Sequence, residues 1–206
     1  MTATYDADGN LYSGGTCFDI GFPTTLGAYD VTFNGATAYG RTDVVVTKYD
    51  SSGTFLQYST YIGGATSTEI VTSLVVDGSN DLFLYGATGS SDFPVTSTAY
   101  DTTFNGGILL RFVYNGSYFD NGTDIYVAKF NSTGTSLLAS TYIGGGLNDG
   151  VNVNNDSVLF SAGPPAVYEF PSDSLQYNYG DQFRGEINVD QFGNAYIASS
   201  TRSGDF

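Results

Sequence analysis

The chain has 206 residues, with 27 Gly, 17 Tyr and 15 Phe but only six Lys plus Arg, and its formal net charge is −15. This charge excludes nucleic acid and anionic membrane surfaces as favourable partners, because phosphate repels a polyanion. The absence of His and the presence of one cysteine exclude histidine-based catalysis, histidine metal ligands and an internal disulfide.

The composition predicts an all-β chain, because aromatic residues favour strands and Gly favours tight turns. No run of 18 apolar residues occurs, so membrane insertion is not expected. The first element is a turn, YDADGN (5–10), in which Gly9 supplies the positive φ of a tight hairpin. Asp6, Asp8 and Asn10 also resemble the start of a Ca²⁺ loop. Because no Glu follows at loop position twelve, the hairpin turn is the favoured interpretation and Ca²⁺ is the alternative.

Further along, the sequence repeats itself. STYIGG occurs at 59–64 and again at 140–145, and the preceding TDVVVTKY matches TDIYVAKF at the same shift of 81. VDQFGNAYIASS near the end matches VDGSNDLFLYGA at a shift of 113. We therefore predict one repeat domain. Its units are 3–64, 71–145 with an insertion at 107–121, an inserted or linking segment at 146–186, and the start of a further unit at 187–206.

Each unit predicts four short strands, which in the second unit are 71–77, 82–87, 124–130 and 136–143. The stretch 44–49 is apolar on both faces, which is typical of a sheet that is covered on both sides. Small sheets stacked by repetition satisfy this pattern. The predicted fold is thus all-β, with propeller-like blades of four antiparallel strands in an open or partial propeller. Hairpin insertions are predicted around Asn115-Gly116 and from the strand-like runs 158–161 and 167–170.

The ordered blocks GN-x-Y, SDFP, AYD with FNGG, D-x-x-V-x-K-[YF] and YSTYIGG resemble the SBBP β-propeller repeat. The resemblance implies a secreted or cell-surface protein. The stretch 181–190 resembles linking segments in surface proteins of the Bacteroidota that are associated with type IX secretion. A propeller closes with about four to eight blades. We therefore expect the chain to belong to a longer polypeptide or to pack against neighbouring copies.

Residues at matched repeat positions are candidates for structural roles. The lysines there have two interpretations, a ligand-contacting cation or an ion pair with a repeat acid such as Asp77 or Asp92. The single cysteine, Cys17, is expected to be a small core residue. The matched structural positions are Lys48, Lys129, Asp43, Asp124, Gly63, Gly64, Gly144 and Gly145.

Aromatic residues in the insertions are the candidates for ligand contact, with packing of the hairpins as the competing interpretation. They are Tyr114, Tyr118, Phe119, Tyr168, Tyr177 and Tyr179.

No pair of acids stands out in the sequence as catalytic, so we predict that the chain is not an enzyme and needs no cofactor, with Ca²⁺ as the one candidate ion. The leading hypothesis is a non-catalytic extracellular structural or adhesion module. Its partners would be the remainder of the same polypeptide, neighbouring copies or surface glycans. The alternative is a carbohydrate-binding propeller that uses the aromatic insertions. A glycan-active enzyme is the third hypothesis, and it requires two facing carboxylates about 5–10 Å apart.

Overall fold

The computed structural model describes residues 1–35, 41–112, 117–152, 158–161, 167–169, 183 and 185–206. These residues form an all-β fold of antiparallel sheets. The strands are β1 Thr2–Tyr5, β2 Leu11–Cys17, β3 Asp43–Tyr49, β4 Leu56–Ile62, β5 Glu69–Val76, β6 Leu82–Thr88, β7 Leu110–Phe112, β8 Ser117–Phe119, β9 Asp124–Phe130, β10 Leu137–Ile143, β11 Val158–Ser161, β12 Val167–Glu169, β13 Glu186–Val189 and β14 Ala195–Ala198.

The first repeat unit is an open four-stranded sheet in the order β1-β2-β3-β4, with every neighbour antiparallel. Two tight turns in this sheet depend on glycine: Gly9 has φ +81° and Gly53 has φ +71°. Positive φ is costly for side chains with a Cβ, so glycine makes these reversals possible. The result is the propeller-like blade that the repeat predicts.

The second unit has the same four-stranded layout, in the order β5-β6-β9-β10. Strand β9 has the predicted bounds, and β6 and β10 differ from the prediction by one residue. Strand β5 begins two residues early, at Glu69. The third unit contributes the antiparallel pair β13–β14. Its first strand begins at Glu186, inside the segment that the sequence assigned to an insertion or linker.

The units stack face to face through alternating strand residues. One face of the second sheet packs against the first sheet through Leu82 and Leu84, which lie in one buried cluster with Tyr12, Val44 and Val46. The opposite face presents Phe83 and Tyr85 to Ile187 of the third unit. The second sheet is therefore covered on both sides, as its doubly apolar strands predict. Each such buried side chain contributes about 1.5–3 kcal/mol to stability relative to an exposed one.

A loop covers the outer edge of each four-stranded sheet. In the first unit the Thr25 amide donates to the Ser59 carbonyl at 3.1 Å, and the Tyr61 amide donates to Asp30 at 2.9 Å. The equivalent loop of the second unit repeats both bonds, from Thr96 to Ser140 and from Tyr142 to Asp101. Because an open edge strand invites pairing with other chains, these loops restrict where the fold can associate.

Both predicted insertions contain an antiparallel strand pair. Strand β7 pairs with β8, and β11 pairs with β12. One prediction was wrong: Cys17 is only partly buried at the end of β2, where its Sγ donates to the Asp19 carbonyl at 3.1 Å. The reason is its place at the strand end, next to an exposed loop.

Candidate functional site

The two lysines occupy equivalent places on the middle strands of their sheets. Lys48 lies opposite Tyr12 across β2 and β3, and its Nζ lies 3.3 Å from the Asp6 carboxylate and 4.7 Å from the centre of the Tyr12 ring. Lys129 lies opposite Phe83 across β6 and β9, with its Nζ 4.8 Å from the ring centre. Each ammonium is thus held between a turn carboxylate and an aromatic face.

The structure shows which of the two acids considered from the sequence, Asp77 or Asp92, pairs with Lys129. Its Nζ lies 2.9 Å from Asp77 and 3.0 Å from Asp81. Asp92 is not its partner, because the Asp92 carboxylate instead accepts the backbone amides of Ala65 and Thr66. Burial alone would lower the pKa of Lys129, but the hydrogen bonds to Asp77 and Asp81 raise it. Both lysines form ion pairs inside the repeat.

The turn acid in the first unit also organises its hairpin. Asp6 accepts the amides of Asp8 and Asn10, the Asn10 side chain and the Tyr12 hydroxyl. Burial would raise the pKa of Asp6, but the hydrogen bonds from Asn10, Tyr12 and Lys48 lower it to about 2. Among the proposed Ca²⁺ residues, the Asp6 carboxylate therefore binds the turn amides and Lys48, while Asp8 is exposed. The Ca²⁺ hypothesis stays a prediction.

A second group of buried acids lies where one unit joins the next. Glu69 accepts the Gly64 amide at 3.1 Å and the Thr88 hydroxyl at 2.8 Å. Asp43 accepts the Asn34 amide at 2.6 Å. Both carboxylates flank Gly63, where an added Cβ would collide with Asp43 and lie 2.8 Å from Glu69 Oε2. Glycine is therefore required at Gly63 by the close approach of two acids.

Burial controls the protonation of these acids. It raises the pKa of Glu69 to about 8 and that of Asp43 to about 6. Asp124, the repeat equivalent of Asp43, is likewise raised to about 6 by burial. It accepts the Asn105 and Gly106 amides, and an added Cβ at Gly144 would lie 2.5 Å from its Oδ1. The same carboxylate and glycine arrangement therefore occurs in both units.

We call this arrangement of acids and glycines between consecutive units a joint. A second joint lies between the second and third units. Asp149 takes the place of Glu69: it accepts the Gly145 amide and the Ser203 hydroxyl, each at 2.8 Å, and bonds to Thr201. The Glu69 amide donates to Thr42, and the Asp149 amide donates to the equivalent Thr123, each at 2.8 Å. The sequence comparison missed this pairing, because the connecting loop is one residue shorter before Asp149 and a shorter acid compensates.

Gly145, next to Asp149, is the repeat equivalent of Gly64. Each of these two glycines lies close to a second acid. An added Cβ at Gly64 would lie 2.5 Å from Asp92 Oδ1, and one at Gly145 would collide with Asp205. Asp205 in turn accepts the Gly146 amide at 3.0 Å. All eight matched structural positions of the repeat thus lie at an ion pair or a joint.

The aromatic candidates in the insertions have different environments. Phe119 is fully buried in a cluster with Leu110 and Phe183, and its ring centre lies 5.7 Å from that of Phe183. Tyr118 is partly buried next to it on β8. Tyr168 lies on β12, and only its backbone is described. Tyr114, Tyr177 and Tyr179 lie outside the described residues.

The two acids on either side of Gly63 are the buried pair to compare with a catalytic carboxylate pair. Asp43 and Glu69 are both fully buried, and their hydrogen bonds go to the protein's own backbone and hydroxyl groups. Within the described ranges, no group of three or more Cys, Asp or Glu side chains is arranged to hold a metal ion. Asp43 and Glu69 therefore link separate segments of the chain through hydrogen bonds. A carboxyl group can accept these bonds whether it is neutral or charged.

No protein-family model matches this chain, and no curated protein matches its sequence. Within the part of the chain that the structure describes, no helix is long and apolar enough to cross a membrane.

Proposed function

We propose that the chain is a non-catalytic structural and adhesion module of an extracellular protein, built from propeller-like blades of the SBBP kind. The observation that carries the proposal is a difference between equivalent faces. Leu11 on the first sheet is 45% exposed, whereas its equivalent Leu82 on the second sheet is fully buried under the preceding unit. Tyr5 on the same open face is 76% exposed. Such a face favours packing against further protein.

The repeated joints support the same role. Each joint uses side chains from two consecutive units, so neighbouring units stabilise each other in a linear array. Burial of Phe119 against Phe183 supports a packing role for that residue over contact with a glycan. The partners that this proposal names are the remainder of the same polypeptide or neighbouring copies, in an extracellular or cell-surface setting.

Sedimentation velocity across a concentration series tests the proposal. We expect the chain to associate with rising concentration and expect Leu11→Ser to weaken that association. Phe55→Ser is the matched control, because Phe55 is 65% exposed but lies in the turn between β3 and β4. A chain that stays monomeric at every concentration would contradict the proposal.

Binding and turnover assays test the competing functions. The chain should neither bind a glycan array nor hydrolyse a panel of glycoside substrates. Glycan binding that Tyr118→Ala abolishes would favour the carbohydrate-binding alternative. Turnover that Glu69→Gln abolishes would favour an enzyme.

A further inference from the structure

One hairpin turn of the repeat differs from the others in the residue that caps it. Four turns are capped by an aspartate whose carboxylate accepts two backbone amides of the turn, namely Asp6, Asp50, Asp77 and Asp190. In the turn between β9 and β10, Asn131 has this role, and its Oδ1 accepts the Thr135 and Ser136 amides at 2.9 and 3.1 Å. Aspartate supplies the same oxygen acceptor. The turn itself therefore does not explain why this position is asparagine.

The asparagine of this turn begins a signal for covalent modification. N-linked glycans attach to asparagine in the pattern Asn-X-Ser/Thr, where X is not proline. The sequence contains this pattern four times, beginning at Asn115, Asn121, Asn131 and Asn155. Asn115 and Asn155 lie outside the described residues. The structure therefore distinguishes between the patterns at Asn121 and Asn131.

The hydroxyl residue of the pattern is accessible in one case and buried in the other. Thr133, two residues after Asn131, is exposed in the turn. Thr123, two residues after Asn121, is fully buried. Its hydroxyl donates to the Asp149 carbonyl at 2.8 Å, in the joint between the second and third units. An enzyme that recognises the hydroxyl residue on the folded chain can therefore reach it beside Asn131 but not beside Asn121.

The hydrogen bonds of Asn131 are compatible with a glycan on its side-chain nitrogen. Nδ2 carries two hydrogens, and the bond to Thr135 Oγ1 at 3.0 Å uses one of them. The two turn amides bond to Oδ1, which the modification does not change. A glycan on Nδ2 replaces one hydrogen and leaves the other in place. The turn therefore keeps its hydrogen bonds after modification.

The turn also lies far from the joints. Strand β9 begins at the joint acid Asp124 and ends at Phe130, directly before Asn131. Six steps of about 3.3 Å separate the two ends of this strand by about 20 Å. A glycan on Asn131 therefore leaves the joint acids and their glycines undisturbed.

We propose that Asn131 is an acceptor site for an N-linked glycan that is transferred from a lipid-linked oligosaccharide. In this transfer a bond forms between Asn131 Nδ2 and the first sugar carbon, and the bond between that carbon and the lipid pyrophosphate breaks. Nδ2 loses one proton, and the lipid pyrophosphate is the leaving group. The inference rests on the proposed extracellular role, because N-glycosylation marks a surface loop of a secreted protein. The glycan adds a bulky, solubilising group to the turn between β9 and β10.

Glycosylation of the folded full chain in vitro tests the proposal. The probe is a lipid-linked oligosaccharide, added with a purified single-subunit oligosaccharyltransferase. We expect peptide mapping by mass spectrometry to find a glycan on Asn131 and none on Asn121. Thr133→Ala should abolish the glycan on Asn131, whereas the matched control Thr135→Ala, outside the signal, should retain it. An unmodified Asn131 in the folded chain would overturn the proposal, and a glycan on Asn121 would refute the accessibility argument.

The equivalent turn of the first unit provides a second arm. Asp50 is followed by Ser51 and Ser52, so Asp50→Asn completes the signal in that turn. Because Asp50 Oδ1 already accepts two turn amides as Asn131 does, this variant should fold and gain a glycan at position 50. Circular dichroism checks the fold. A folded variant that stays unmodified at position 50 would contradict the inference that this turn geometry accepts a glycan.

Asn131→Asp separates the glycan from the turn. This variant restores the aspartate found in the other four turns, so its urea midpoint should equal that of the unmodified chain, while its glycan at this position is lost. A lower midpoint would mean that the turn itself requires asparagine, which would remove the reason for assigning Asn131 to modification. The Leu11 association test uses the unglycosylated chain and a different sheet. Failure of glycosylation and failure of the proposed function are therefore distinguishable.

Discussion

Replacement of Lys48 by methionine tests whether the repeat is stabilised by buried ion pairs. The Lys48 side chain is 6% exposed and its partner Asp6 is 0% exposed, with 3.3 Å between Nζ and Oδ2. At this distance the Coulomb attraction is about 5 kcal/mol for an effective dielectric constant of 20. Removal of one partner of a buried pair typically costs about 3–5 kcal/mol, since the other charge is left uncompensated. Methionine retains the length of the stem, so packing on Tyr12 should change little.

Lys129→Met is the matched control at the equivalent repeat position. Its side chain is 23% exposed, so water can replace part of the lost interaction with Asp77 and Asp81. After this discount for solvent, we expect a loss of about 1–2 kcal/mol. The two variants therefore separate the effect of burial from the effect of removing a lysine.

Urea unfolding followed by circular dichroism and tyrosine fluorescence measures both losses. The double variant Lys48→Met with Asp6→Asn should recover part of the stability, because the uncompensated charge is gone. The reasoning is refuted if Lys48→Met and Lys129→Met lose the same free energy of unfolding. It is also refuted if the double variant is no more stable than Lys48→Met alone.

Three further variants test the joints and the inserted hairpin. Burial raises the pKa of Glu69 from 4.5 to about 8, so its contribution to stability is complete below about 4.5 and is lost as the pH rises through about 8. Glu69→Gln, which mimics the protonated acid, should flatten that decline in a pH series of melting temperatures; an unchanged slope would contradict it. Gly63→Ala should destabilise the fold by more than about 2 kcal/mol through collision with Asp43, whereas Gly78→Ala, which meets open space, should be near neutral in the same urea assay. Phe119→Ala should cost about 3 kcal/mol in chemical denaturation, and a neutral result would mean that the hairpin is not part of the packed structure.

The strands of the repeat could be predicted because apolar strand patterns and glycine turns in the local sequence are enough to locate them. In β9, Asp124–Phe130, a run that is largely apolar on both faces and the Gly134 turn indicate a strand of the observed bounds. The start of β5 was predicted two residues late. Glu69 is a charged residue in isolation, and only the hydrogen bonds from Gly64 and Thr88 explain how it joins a buried strand.

The site residues could be predicted only as repeated positions, since their partners are distant in sequence. The match of Lys48 with Lys129 indicates a shared role, but the choice of Asp77 over Asp92 depends on how the hairpin turn is oriented. The start of the third unit was placed one residue late for a related reason. Glu186 is a polar residue whose carboxylate accepts the Ser73 hydroxyl of the preceding unit at 3.2 Å, a contact that no local pattern indicates.

The position of the insertions relative to the joints shows which part of the sequence can vary. The hairpin β7–β8 lies between the edge-covering loop and β9, so it leaves the joint acids Glu69 and Asp149 in place. The joint itself tolerates a loop that is one residue shorter, because aspartate replaces glutamate and keeps the bond to the glycine amide. The hairpin contributes packing instead, because Phe119 and Leu110 lie in one buried cluster with Ile70 of the second sheet. Only the exposed part of its surface is therefore free to differ between units, whereas a change at Gly63 or Gly144 must disrupt a buried carboxylate.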